Sequence, residues 1–321
     1  MTIASLDTTP ASDATVNHVN HAPRHPHARP VGSDSYIWID GRGFPKTGNP
    51  KYLLPNDDIE CQRLTTQHYI VGRVIKSPYR APITEALEKG IKVLNVGCGP
   101  GAWSKELAVR FPFSTFVATD IADVFNATGS PPNVTFIVAD TFKLPFEDES
   151  FDYVFQRFHC LCFTEAAWPT IIRELMRVTK PGGTLELVEI SCTIHDAGPV
   201  TTTYFEKLRM TMLMRGVNSN YAPLLGGTMT SEGLENVKHE QVKWNIGWGH
   251  PELGRLTTEN TAATFGGLKP QMLLVLGLDE EEYDQTVREA IKELSGAYPS
   301  YWTIECFHGT KPDPDCDAPE R

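Results

Sequence analysis

The sequence predicts an α/β fold built on a doubly wound, mostly parallel sheet. Between Ile91 and Glu189, short apolar stretches alternate with amphipathic ones at the spacing of strands and helices. The first apolar stretch runs directly into a glycine-rich turn, Gly97-Cys98-Gly99-Pro100-Gly101. Hydrophobic residues make up 40% of the 321, enough for a sizeable core. No run reaches the roughly 18 apolar residues of a membrane span. The longest candidate, Met272 to Leu278, is interrupted by Gly277.

Residues 1–32 are rich in Ala, Thr, Asn, His and Pro, lack any period, and read as a disordered tail. They lack the basic start and apolar run of a signal peptide. Residues 36–55 alternate aromatic or apolar groups with polar ones and then break into Gly/Pro turns, which fits an extended arm or hairpin. Asn56 is placed to cap a helix that runs to about Ile75.

Ile91–Val96 reads as a strand, Ala102–Arg110 as a helix, and Thr115–Thr119 and Val134–Ala139 as strands. Tyr153–Phe155 with its neighbours is a fourth strand. Glu165–Val178 is an amphipathic helix, ended by Pro181-Gly182-Gly183, and Thr184–Ile190 is a fifth strand. Beyond it, Val200–Arg215 and Glu280–Leu294 read as helices, and Gln241–Trp248 and Tyr301–Phe307 as strands. The chain from Pro312 onward reads as frayed.

Lys and Arg number 29 against 40 Asp and Glu, a formal net charge of −11. That balance argues against nucleic-acid and anionic-membrane partners. Seven scattered cysteines read as reduced thiols, hence an intracellular, cytoplasmic protein. Cys160 and Cys162 form C-x-C with no second pair at zinc spacing, so no metal is expected.

The chemistry centres on the glycine turn. Gly97, Gly99 and Gly101 follow a strand and open a helix, where backbone N–H groups are free to meet a ligand. Gly97-x-Gly99-x-x-Ala102 also satisfies the dinucleotide fingerprint, and Asp120, about 20 residues on, suits either reading because its carboxylate can accept from two ribose hydroxyls. Three further features separate them. Ala139-Asp140 ends the third strand. Ser150-Phe151-Asp152-Tyr153-Val154 opens the fourth. Arg173-Glu174-Leu175 through Pro181-Gly182-Gly183 precedes the fifth.

In this order and spacing the block from Val93 to Glu189 resembles the class I S-adenosylmethionine-dependent methyltransferases, in particular the type 11 group. Tyr52-Leu53-Leu54-Pro55-Asn56-Asp57, Arg63-Leu64, Gln67-His68 and Ala81-Pro82-Ile83 extend the likeness to fungal LaeA-like methyltransferases. Ser77-Pro78-Tyr79-Arg80 departs from that pattern. The resemblance implies a Rossmann-like seven-stranded sheet of order 3-2-1-4-5-7-6, with Tyr301–Phe307 as the reversed strand. It implies a methyltransferase domain over 83–311, a lid over 33–82 and a helical insertion over about 195–300.

For individual residues, it implies that Gly97, Gly99 and Gly101 line the methionine part of S-adenosylmethionine. Asp120 holds the ribose and Ile121 packs on the adenine, with Asp140 and Thr141 near its amino group. Main-chain groups of Gln156 and Arg157 lie near the methionine amine. Tyr36 and Trp38 are candidate lid aromatics.

Methyl transfer from a sulfonium needs alignment more than a dedicated catalyst, and a base only when the acceptor must lose a proton. His159, just past the fourth strand, is one base candidate and Glu189, ending the fifth, is the other; the competing role for both is structural. Tyr204, Met210 and Met214 on one helix are candidates for a substrate wall, with core packing as the alternative. The implied activity is methylation of a small organic acceptor in fungal secondary metabolism. The alternatives are a LaeA-like regulator working through protein partners, and a nicotinamide oxidoreductase.

Overall fold

The computed structural model describes residues 36–46, 51–125, 127 and 129–314. The expected tail over 1–32 lies outside them, as does the chain from 315 onward. The chain opens with a two-stranded hairpin, β1 (Tyr36–Ile39) and β2 (Arg42–Pro45). Asp40 and Gly41 at its tip both take positive φ, the turn geometry that matches strand twist. Helix α1 (Asp58–Ile75) follows. Its cap is Asp57, not the expected Asn56: Asp57 Oδ1 accepts from Glu60 N–H at 2.9 Å. Asp57 Oδ2 also accepts from Arg42 Nε at 2.7 Å and Gly43 N–H at 3.1 Å. One carboxylate thus caps the helix and pins the hairpin to it.

The sheet is formed by β3 (Lys92–Val96), β4 (Thr115–Asp120), β5 (Val134–Val138), β6 (Phe151–Arg157), β7 (Thr179–Ile190), β8 (Glu235–Asn245) and β9 (Tyr301–Thr310). The order is β5-β4-β3-β6-β7-β9-β8. Counted from the first strand of the sheet, this is 3-2-1-4-5-7-6. β9 runs antiparallel to both its neighbours, while the remaining pairs are parallel. Between the strands lie α2 (Thr84–Lys89), α3 (Ala102–Arg110), α4 (Trp168–Val178), α5 (Pro199–Met214), α6 (Leu225–Ser231), α7 (Pro251–Leu276) and α8 (Glu280–Lys292).

Alternation along the strands feeds two apolar layers. Tyr153, Phe155, Val188 and Ile304 face one cluster with Trp103 and Leu107; Leu94, Val154, Leu185 and Leu187 face the other with Trp168 and Ile172. On α4, Trp168, Ile171, Ile172, Leu175 and Val178 form one fully buried stripe, each worth about 1.5–3 kcal/mol of burial. A third cluster joins α5, α7 and α8 to Leu53 and Leu54.

Two elements depart from expectation. α4 ends at Val178, and Pro181-Gly182-Gly183 is a bulge inside β7: Phe151 pairs with Thr179, yet Tyr153 pairs with Thr184. The long helix α7 is hidden in the sequence by glycines and threonines. Its glycines allow close approach: a Cβ on Gly267 would sit 3.0 Å from the Leu54 side chain, and one on Gly254 3.0 Å from backbone at Gly247. Thr257, Thr258, Thr261 and Thr264 each donate to the carbonyl four residues back, so their hydroxyls enter the packed interior already bonded. Among the described residues no helix is long and apolar enough to cross a membrane.

Candidate functional site

The carboxyl ends of β3, β4 and β6, the loop after β5 and the inner side of α1 enclose a cavity of about 390 Å³. Open parallel sheets bind ligands at this edge. Gly97, Gly99, Asp120, Ile121, Asp140, Thr141, Arg157 and His159 line it; Gly101 and Gln156 do not.

The glycine turn is held from both sides. Gly97 has φ +65°, and a Cβ there would lie 1.9 Å from His159 Nε2. Gly101 has φ +84°, and its Cβ would lie 2.4 Å from the Phe136 ring. Between them, Gly99 N–H donates to Asp120 Oδ2 at 2.8 Å, and Ala122 N–H donates to Oδ1 at 3.0 Å. Burial raises the Asp120 carboxyl above its ordinary range, and backbone N–H groups hold that rise back. Each oxygen keeps a further lone pair. Asp140 is exposed; its Oδ1 accepts from Phe142 N–H at 3.0 Å, which shapes the loop beside the cavity.

His159 stacks on Phe163, with ring centroids 5.5 Å apart. Burial pulls its imidazole down to about 4, so it is neutral at physiological pH. Glu189 does not line the cavity. It accepts from His159 N–H and Cys160 N–H, both at 2.9 Å, and burial lifts its carboxyl to about 8. Its work is to hold the turn after β6, which corrects its placement as a base. Gln156 is buried in the sheet, and neither polar atom of its amide has a hydrogen-bond partner among the described residues.

Arg157 reaches back to α1. Its Nη2 donates to His68 Nδ1 at 3.1 Å, and His68 Nε2 lies 2.6 Å from Glu106 Oε2. A guanidinium only donates, so Nδ1 is the acceptor and Nε2 carries the proton toward Glu106. Burial lowers both the His68 imidazole and the Arg157 guanidinium, the latter to about 10.

A second chamber of about 110 Å³ adjoins the first. Leu53 and Leu54, the end of β7, the inner face of α5 and the middle of α7 wall it. Tyr52 and Gln67 line both chambers.

A family model described as methyltransferase domain matches residues 93–183. Residues 93–183 are a class I S-adenosylmethionine-dependent methyltransferase domain. The chain carrying this methyltransferase domain is 27% identical over 294 residues to "Secondary metabolism regulator laeA" of Coprinopsis cinerea, covering 83% of this chain and 71% of that protein. It is 25% identical over 223 residues to "N-methyltransferase sirN" of Leptosphaeria maculans, covering 67% and 78%. It is 26% identical over 155 residues to "Methyltransferase pytC" of Aspergillus terreus, covering 48% of this chain and 46% of that one, so it spans about half the length of that relative. A solved phosphoethanolamine N-methyltransferase 2 of Haemonchus contortus, in complex with S-adenosyl-L-methionine, gives a TM-score of 0.49 at 18% identity, over 84% of this chain and 62% of that one.

The cofactor of the methyltransferase domain is S-adenosylmethionine. The cavity fits it in kind: roughly 300–1,000 Å³ is usual for a small-molecule site, and Asp120 presents free lone pairs beside an open glycine backbone.

The methyltransferase's outer candidates fall elsewhere. Tyr36 and Trp38 do not line the cavity. They pack across the hairpin on Gly43, where a Cβ would lie 3.3 Å from the Trp38 ring and 3.4 Å from Tyr36. The roof is formed instead by Pro45, Tyr52, Asn56 and Leu64. Tyr204 is buried in the core, with its Oη 2.9 Å from Tyr283 Oη. Met210 and Met214 are 50% and 67% exposed, because the buried face of α5 is Tyr204, Phe205, Leu208 and Met212. Shared i, i+4 spacing placed the two methionines on one face, but it is the wrong face. Sequence reasoning gives no role to His68, Leu64, Trp103, Tyr52 or Gln67, which also line the cavity; Tyr52, Leu64 and Gln67-His68 stand in the family-like stretch.

Proposed function

We propose that this protein transfers a methyl group from S-adenosylmethionine to a small organic acceptor in fungal secondary metabolism. One observation carries the reading: the cavity at the glycine turn adjoins a second, apolar chamber, and both are lined by Tyr52 and Gln67. A recessed chamber of that size suits a small molecule better than a folded protein surface. The name of two fungal relatives, "Secondary metabolism regulator laeA", supports the setting.

In the proposed complex the turn Gly97–Gly101 offers N–H groups to the methionine portion. Asp120 accepts from the ribose hydroxyls, and Ile121 packs on the adenine near Asp140 and Thr141. Main-chain groups of Gln156 and Arg157 face the methionine amine. When bound, the cofactor supplies a methyl group made electrophilic by a sulfonium. The chain's share is alignment and exclusion of water, which accounts for several kcal/mol of barrier in such reactions. His159, neutral at physiological pH, packs against the glycine turn at the cavity wall. We place the methyltransferase in the cytoplasm, with a small-molecule partner and no nucleic acid or membrane.

Calorimetric titration with S-adenosylmethionine and S-adenosylhomocysteine tests this. Asp120→Ala weakens both at least about tenfold, a loss of ~1.4 kcal/mol or more, while circular dichroism stays native. No heat of binding at millimolar ligand in a folded sample ends the reading. The name of the Coprinopsis relative favours a second one, a regulator acting through protein partners, with the nucleus then a second compartment. Methyl turnover on pathway intermediates, set beside affinity capture of partners, separates the two.

A further inference from the structure

The second chamber has a chemistry of its own. Its walls are Leu53, Leu54, Phe205, Leu208, Phe265 and Trp302 with their neighbours, and among the described residues no Asp, Glu, Lys, Arg or His lines it. A charged ligand entering there loses its hydration and meets no counter-charge, a large cost. The polar side chains on its α7 wall are already engaged. Asn260 Oδ1 accepts from Arg63 Nη1 at 3.2 Å, and Asn260 Nδ2 donates to the Arg63 carbonyl at 3.1 Å. Thr261 and Thr264 donate to carbonyls of their own helix.

Tyr52 and Gln67 differ. They stand where the chambers meet, and neither side chain makes a hydrogen bond among the described residues. Burial holds the Tyr52 phenol well above its ordinary value, so it remains a donor. The size is informative too. The chamber holds about 110 Å³, and a cavity of about 150 Å³ takes a benzene ring. A space of that order suits one ring and not two, with its polar atom turned toward Tyr52 and Gln67.

We propose that this chamber receives an uncharged, single-ring apolar acceptor, and that Tyr52 and Gln67 hold its nucleophilic atom at the junction with the cofactor cavity. The proposal rests on the methyltransferase reading and adds the class of acceptor and the residues that select it.

Saturation-transfer NMR on the full chain loaded with S-adenosylhomocysteine tests it, with phenol, benzoate and benzylamine as probes at pH 7.5. Phenol binds, and the anionic and cationic rings bind at least about tenfold more weakly, as desolvation of an unpaired charge demands. Tyr52→Phe and Gln67→Leu each weaken phenol about three- to tenfold and erase its advantage over toluene, as expected for a lost hydrogen bond. Leu208→Trp fills the chamber and abolishes phenol binding while the S-adenosylhomocysteine affinity holds within about twofold, since Leu208 lies outside the cofactor cavity. Charged rings binding as well as phenol, or phenol binding unaffected by Leu208→Trp, overturns the proposal and leaves the cofactor reading standing. Failure of S-adenosylhomocysteine to bind overturns both.

Discussion

The two chambers are built by different means. Around the cofactor cavity the decisive groups are backbone: N–H groups of Gly99, Ala122, His159 and Cys160, each received by a carboxyl group at the end of a strand. Around the second chamber the decisive property is bulk, supplied by leucines and aromatics from segments far apart in the chain. Directional hydrogen bonds demand particular residue types at fixed spacing. Apolar walls accept many residues of about the right volume. The first chamber is therefore written in motifs and the second is not.

The difference can be broken by substitution. Gly97→Ala drives a methyl group into His159 and strains a positive φ, so we expect a loss of at least about 3 kcal/mol of stability in thermal or denaturant unfolding. Gly97→Ala/His159→Ala recovers part of it; an unchanged melting temperature for the single variant removes the dependence. In the second region Leu208→Ala costs about 2–4 kcal/mol by opening a cavity, yet leaves S-adenosylmethionine affinity unchanged in calorimetry. Glu189→Gln replaces one acceptor oxygen by a donor facing an N–H, at about 1–3 kcal/mol, and loosens the turn after β6. Hydrogen exchange of the Cys160 amide reports it.

The smallest effect is a slope with pH. Glu186 accepts from Arg80 N–H, Ala81 N–H and Tyr153 Oη; burial lifts it to about 7 from an ordinary 4.5, as it lifts Glu189 to about 8. Above 4.5 the unfolded chain releases protons that the folded chain keeps, so these groups make stability fall with rising pH until 7 to 8. His159 acts oppositely: from 6.5 down to about 4 only the unfolded chain takes up the proton, so stability falls as pH drops. The terms oppose each other between 4.5 and 6.5, and the carboxyls act alone above that. Glu186→Gln flattens the decline between pH 6.5 and 8 in denaturant midpoints; an unaltered slope refutes its part.

Legibility followed the same division. Strands β3 to β7, the glycine turn and Asp120 could be read because apolar alternation and glycine spacing are local signals. Helix α7 could not, since Gly254 and Gly267 resemble breakers until the surfaces they approach are known. Met210 and Met214 misled because a helix's period gives its faces but not which one is buried. The family resemblance makes Tyr36 and Trp38 candidates for a lid; Arg42 instead ties their hairpin to Asp57 at the start of α1, and Tyr52 takes the place over the cavity. Glu189 looked like a reactive acid because nothing in sequence reveals that both its oxygens face amides.

The strand order has a consequence for how the molecule comes into being. Among the described residues β8 pairs with no strand but β9, and β9 fills the gap between β7 and β8. During synthesis the sheet therefore waits, with an open slot beside β7, until residues 301–310 have been made. Trp302, on that strand, is also a wall of the second chamber. The glycine turn and its carboxylates belong to sequence already available by residue 190, but the acceptor side closes only with the final strand. Such long-range closure is slow and exposes apolar surface while it waits. A ribosome-bound chain would thus hold its cofactor elements well before it had anywhere to put an acceptor.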